Sequence, residues 1–93
     1  MKYVVYLIIT SAKNKTISYV GYTNNIDKRL KLHNSGKGAK FTKGKKWKLI
    51  YSRKYKSKIK AMQEEYKLKK NYILRKKIKI KYLKNENFYT TSI

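Results

Sequence analysis

The 93-residue chain contains no cysteine and no proline. Without cysteine there is no disulfide to staple a small fold and no thiolate to hold a metal. Without proline, the breaks between elements have to come from glycine, asparagine and serine. Acidic residues are scarce: Asp27, Glu64, Glu65 and Glu86 stand against 26 Lys and Arg, for a net charge of +22. Long apolar runs are missing too. The longest, Val4 to Ile9, is far short of the roughly 20 residues a bilayer requires. Only Met1, Lys2 and Tyr3 precede it and no small-residue cleavage pattern follows, so it does not read as a signal peptide. The expected location is intracellular, in the cytoplasm, with no membrane partner.

What is present bounds the class. The length predicts one domain, with a limited core. A hydrophobic content of 41% excludes compositional disorder. A field of +22 attracts polyanions from a distance, nucleic acid first and a membrane surface second. Charge alone does not separate an enzyme from a ribosomal or packaging protein.

The pattern along the chain predicts an α+β domain, β-β-α-β-α-α, with a small, mostly antiparallel three-stranded sheet flanked by helices. "KYVVYLIIT", Lys2 to Thr10, is β-branched and aromatic and reads as a strand buried on both faces. Ser11 to Lys15 is turn material, and Thr16 to Thr23 returns as the second arm of a hairpin. Gly21 late in that arm marks a bulge or a close backbone approach. Asn24 or Asn25 caps a helix over Ile26 to Asn34, with Asp27 in its first turn and Gly36 past its end. A Gly- and Lys-rich loop, Ser35 to Lys46, leads to a third strand, Trp47 to Tyr55. Ser57 caps a long helix that Asn71 interrupts, a further helix runs to Lys84, and Asn85 to Ile93 reads as a tail. The domain is expected over residues 1–84 and the tail over 85–93.

Two anomalies point to chemistry. The chain spends 23 Lys but only three Arg, and its sole histidine, His33, lies one helical turn after Arg29. A guanidinium offers a planar fork for two phosphate oxygens, which lysine cannot copy. A histidine one turn on can contact phosphate or carry a proton near neutral pH. On the long helix, Ile59, Met62, Tyr66 and Ile73 form an apolar arc that Ala61, Leu68 and Tyr72 widen. Glu65 points into that arc, where it either pairs with Lys69 or serves as a ligand, while Glu64 points away with Lys60.

Tyr6 closing "VVY", "YVG" at Tyr19 to Gly21, Arg29 and His33 on the next helix, "HNSGKGAKFT" from His33 and Glu65 on a later helix occur in an order that resembles the GIY-YIG nuclease domain. The likeness is greatest to its small stand-alone bacterial members and covers roughly Lys2 to Lys70. It implies phosphodiester cleavage with a single divalent cation, Mg²⁺ or Mn²⁺. Residue by residue it implies catalytic roles for Tyr6, Tyr19, Arg29, His33 and Glu65, with Glu65 the metal ligand. Val4 departs from the first motif's glycine, and Tyr22 stands where the repair branch resembles lysine. The late asparagine of some branches has two candidates here, Asn71 and Asn85.

The residues suit that chemistry. A carboxylate is a hard donor for Mg²⁺ or Mn²⁺. A tyrosine base, with an ordinary pKa of roughly 10, needs nearby positive charge. Tyr19 is the favoured base because it leads the Gly21 segment into the Arg29 helix, and Tyr6 then orients the water or the metal shell. Lys37, Lys40, Lys43, Lys45 and Lys46 supply backbone contacts to nucleic acid, DNA before RNA, while Phe41 stacks on a base or packs on its own domain. The expected protein is a monomeric endonuclease of low sequence specificity, with repair or recombination as its setting. The rivals are a binding protein that uses the same fold without cutting and a purely structural basic protein.

Overall fold

The β-branched run near the start becomes the central strand of the molecule. In a computed structural model, which describes residues 2–12 and 15–91, β1 (Tyr3–Ala12) lies between β2 (Lys15–Thr23) and β3 (Lys48–Tyr55), in the order β2-β1-β3. Both pairings are antiparallel. The fold is α+β with element order β-β-α-β-α-α, as the sequence pattern predicts. The hairpin strands run further into the expected turn than Thr10 and Thr16, pairing out to Ala12 and Lys15. Lys13 and Asn14, at the centre of that expected turn, lie outside the described residues.

Side chains alternate across a strand, and β1 uses both sides. Val5 and Leu7 pack with Val20, Ala61 and Leu68 on one face. Tyr6 and Ile8 pack with Trp47 on the other, joined by Tyr19, Ile26, Leu30 and Leu49. Every residue from Val4 to Ile9 is buried, and each large apolar side chain so buried contributes about 1.5–3 kcal/mol. The pairing with β3 shifts register between Leu7 and Ile8.

Helix α1 (Ile26–Asn34) has both ends written in the sequence. The Asn25 side chain accepts from the Lys28 amide at 3.1 Å. At the far end Lys37 N–H donates to Leu32 C=O and Gly36 N–H to His33 C=O. Gly36 takes the left-handed conformation this closure requires, at φ +80°. Helix α2 (Lys58–Lys70) starts at Ser57, whose hydroxyl accepts from Lys60 N–H. Asn71 ends α2 with its own amide and opens α3 (Tyr72–Thr91) by accepting from Leu74 N–H. Arg75 donates to the Leu68 and Lys69 carbonyls, closing the end of α2 a second time. Helix α3 continues through Thr91, past the Asn85 boundary expected for a tail; Ser92 and Ile93 lie outside the described residues.

The apolar arc expected on α2 faces solvent, which corrects the sequence reading. Ile59, Met62 and Tyr66 on α2, and Tyr72 and Ile73 on α3, are exposed. Ala61 and Leu68 are the residues of α2 that bury, and Glu64 and Glu65 between them are half-buried. At 3.6 residues per turn the exposed and buried groups of α2 point roughly 140° apart. Ala61 decides which one meets the sheet, because a methyl side chain lets the helix backbone approach where bulkier residues cannot. Glu64 therefore lies beside the core rather than opposite it, held by Lys60 and Lys67 at 3.8 and 3.5 Å.

Candidate functional site

The face of the sheet that carries Tyr6 is covered by α1 and by the loop after it. Tyr6 pairs across the hairpin with Gly21. A Cβ on Gly21 would sit 2.5 Å from the Tyr6 hydroxyl. The glycine expected to mark a bulge or a close approach marks the approach: it makes room for the phenol to lie across β2. From there the Tyr6 hydroxyl reaches His33 Nε2 at 2.7 Å. His33 is fully buried and Tyr6 is 1% exposed. On the other side of the imidazole, Nδ1 is 2.8 Å from the Thr42 hydroxyl, which donates to Ala39 C=O at 2.8 Å.

Tyr19 closes the cluster from β2. Its ring meets the edge of His33 at 5.2 Å between centroids and lies 6.4 Å from Tyr6. It is half-buried, so it is the tyrosine of the pair with surface to offer. Phe41 stacks on it at 6.2 Å, and Lys45 lies over the Phe41 ring at 5.7 Å from its centroid. Phe41 thus packs on its own domain through one face and is 54% exposed.

The loop over His33 is short of slack. A Cβ on Gly38 would meet His33 Nδ1 at 2.5 Å, so the chain crosses the imidazole where only glycine fits. Lys40–Thr42 form a 3₁₀ turn that the sequence reading did not anticipate. Trp47 donates its indole N–H to Thr42 C=O, and the Asn34 side chain grips the Trp47 backbone from α1 at both N–H and C=O. Thr42, Asn34 and Gly38 were not picked out from the sequence. The available signal was their place within one turn or one loop of the single histidine and the single tryptophan.

Arg29 lies beside Tyr6, and its Nε is buried without a hydrogen-bond partner among the described residues. It lines a cleft of about 450 Å³ with Tyr3, Tyr22, Thr23, Asn24 and Lys58. Lys58, the first residue of α2, is a cation the sequence reading passed over. Burial pushes the Tyr6 phenol above its ordinary range and the Arg29 guanidinium pulls partly back, with smaller upward pushes from Tyr19 and Glu65. Burial, and then Arg29, hold His33 below its ordinary range. Near neutral pH the imidazole is therefore uncharged.

Glu65 approaches from α2, packed on the opposite face of the sheet. Its side chain is 16% exposed, and Oε1 pairs with Lys69 at 3.3 Å. The lysine pairing expected of it is present, and it is near enough to Tyr6 to push the phenol upward. Among the described residues no cluster of three or more metal-ligating side chains occurs. A single half-buried carboxylate whose one recorded pairing among the described residues is through Oε1 fits an ion that keeps most of its water. Asn71 is spent on its two helix ends, and the side chain of Asn85 is not described. Lys37, Lys40, Lys43 and Lys46 are exposed, whereas Lys45 folds over Phe41. Lys45 and Lys46 also line a second cavity with Lys48 and Tyr82, at the other end of β1 from the Arg29 cleft. Among the described residues no helix is long and apolar enough to cross a membrane.

The profile of the GIY-YIG catalytic domain matches residues 2–81. A UPF0213 protein of Bacillus licheniformis is 44% identical over 82 residues, covering 87% of this chain and 80% of the relative. A UPF0213 protein of Oceanobacillus iheyensis is 43% identical over 65 residues, covering 69% of this chain and 74% of the relative. The solution NMR structure of a UPF0213 protein from Bacillus halodurans is 39% identical, covers 90% of this chain and 86% of that one, and superposes with a TM-score of 0.45. The chain belongs to the GIY-YIG family, in the branch of its small stand-alone bacterial members.

Proposed function

We propose that this protein is an endonuclease that hydrolyses phosphodiester bonds in DNA, with low sequence specificity. One observation carries the reading: Tyr6, Tyr19 and His33 converge in direct contact, beside Arg29, whose Nε is buried without a partner among the described residues and which lines a cationic cleft. Arg29 and Lys58 bind the strand there. The guanidinium fork takes two oxygens of the scissile phosphate and stabilises the charge that builds on them. Tyr19 is the proton acceptor for the attacking water, because Tyr6 and His33 are sealed beneath it. Tyr6 and His33 hold the floor of the site. Lys37, Lys40, Lys43 and Lys46 track the flanking backbone.

Nucleases of this family are generally dependent on a divalent metal. Glu65 is the residue that would hold Mg²⁺ or Mn²⁺ here, and such an ion supplies Lewis-acid stabilisation of the phosphate when bound. The protein acts as a cytoplasmic monomer, and DNA repair or recombination is the setting its chemistry suits.

The test is incubation with labelled duplex, branched and single-stranded DNA and with RNA, with Mg²⁺, with Mn²⁺ and with chelator. Cleavage is expected only with metal, and Glu65→Gln is expected to abolish it while leaving the unfolding midpoint and the affinity for DNA near wild type. Tight binding without cleavage under every condition would return the protein to the non-cutting class.

A further inference from the structure

The hydrogen bonds through His33 have a direction, and both of their ends set it. At one end Thr42 has a single hydroxyl proton, and it goes to Ala39 C=O at 2.8 Å. Toward the imidazole, Thr42 Oγ1 has only lone pairs left, so Nδ1 must carry the ring proton across the 2.8 Å contact. A neutral imidazole protonated at Nδ1 has its lone pair on Nε2. The Tyr6 hydroxyl, 2.7 Å away, is therefore the donor of that bond. At the other end lies Arg29, which has protons and no lone pair. With its own proton turned inward to His33, Tyr6 shows Arg29 its oxygen. The reverse tautomer would require the Thr42 hydroxyl to leave Ala39 C=O and donate to Nδ1 instead, and would turn the phenol proton toward a guanidinium.

We propose that Thr42 is a positioning residue: it locks His33 in the Nδ1–H tautomer and so fixes the Tyr6 hydroxyl with its proton inward and its oxygen toward Arg29. Thr42 is fully buried, so water does not take its place. Its backbone is pinned by the Trp47 indole, and Gly38 keeps the loop close enough for the contact. The groups that face the imidazole are Tyr6 from β1, Tyr19 from β2 and Arg29 from α1; none is an acid that would favour the charged ring. The tautomer itself is independent of the nuclease reading; its effect on cleavage rests on that reading.

His33 is the only histidine in the chain, so isotope labelling of histidine nitrogen gives one imidazole signal pair. A two-bond proton–nitrogen correlation spectrum of the whole protein at neutral pH is expected to show Nδ1 protonated and Nε2 bare. An Nε2–H ring, or averaging between the two forms, overturns the proposal. Thr42→Ser keeps the acceptor and is expected to keep the tautomer; a change of tautomer in this variant counts against the assignment. Thr42→Val keeps the shape, loses the acceptor and is expected to release the ring to the Nε2–H form. If Thr42→Val does not fold, the wild-type and Thr42→Ser spectra decide. In cleavage assays Thr42→Val is expected to lose about tenfold, the scale of one buried hydrogen bond, while Thr42→Ser stays near wild type. A chain that shows the Nδ1–H ring but cleaves nothing keeps this inference and loses the nuclease reading.

Discussion

Arginine is rare in this chain, and each copy is used where its shape matters. Arg53 stacks over the Tyr55 ring, Arg75 donates to the carbonyls that end α2, and Arg29 lies beside Tyr6 with its Nε buried and without a partner among the described residues. In the cleft the fork should matter more than the charge. Arg29→Lys is expected to bind DNA within about threefold of wild type but to lose turnover by about a hundredfold, since the charge survives and the two-point geometry does not. Filter binding beside single-turnover cleavage checks this; equal losses in both would mean that Arg29 only binds. His33 carries a stability signature as well. Burial and Arg29 lower its pKa in the folded protein, so the unfolded chain binds the extra proton first as pH falls. The contribution is fully present above the ordinary histidine pKa of about 6.5 and is lost as pH falls from there through the folded value. Urea midpoints should therefore drop between pH 7.5 and pH 5 for wild type, by more than for His33→Gln. Parallel profiles would show that His33 titrates as it does in water.

At the scale of elements, the helices divide the labour. Helix α1 is specified locally, by Asn25 at its start and Gly36 past its end, and it brings Arg29 and His33 to one face of the sheet. Helix α2 is specified by what it meets. Its bulky apolar side chains look outward, while Ala61 and Leu68 face the sheet. Two substitutions separate the faces. Leu68→Ala is expected to cost about 2–4 kcal/mol, because Leu68 is buried against Val5, Leu7 and Val20. Met62→Lys is expected to stay within about 0.5 kcal/mol, as a surface change on an exposed helix face. Urea unfolding of both variants gives the answer, and a larger loss at Met62 would put the apolar arc back in the core.

Across the whole molecule, charge sets the first encounter with a polyanion. The +22 charge is spread over the loop after α1, the strand ends and both later helices rather than gathered in one site. The Arg29 cleft and the cavity lined by Lys45, Lys46 and Lys48 lie at opposite ends of β1. A strand that reaches from one to the other is expected to meet cations at both ends. Log affinity for duplex DNA should fall linearly with log salt at a slope of about −0.9 per phosphate contacted, with several phosphates engaged. A slope worth a single contact would show that most of the lysines face solvent and do no binding.

The sequence by itself determined the element order, because β-branched alternation, Asn and Ser caps and a glycine past a helix are local signals that each element carries within itself. It also singled out Arg29 and His33 through the rarity of Arg and His, and Tyr6, Tyr19 and Glu65 through the resemblance of their order to the GIY-YIG domain. Tertiary structure alone decided the rest. Which face of α2 is buried depends on how close Ala61 lets a helix come to a sheet, and hydrophobic periodicity does not record that distance. That Tyr6 rather than Tyr19 holds His33 depends on the hole left by Gly21, a feature of two strands in register. Thr42 was illegible for the same reason. A threonine in a lysine-rich loop looks like any other until a 3₁₀ turn, a tryptophan and a glycine bring its hydroxyl against the only imidazole in the chain.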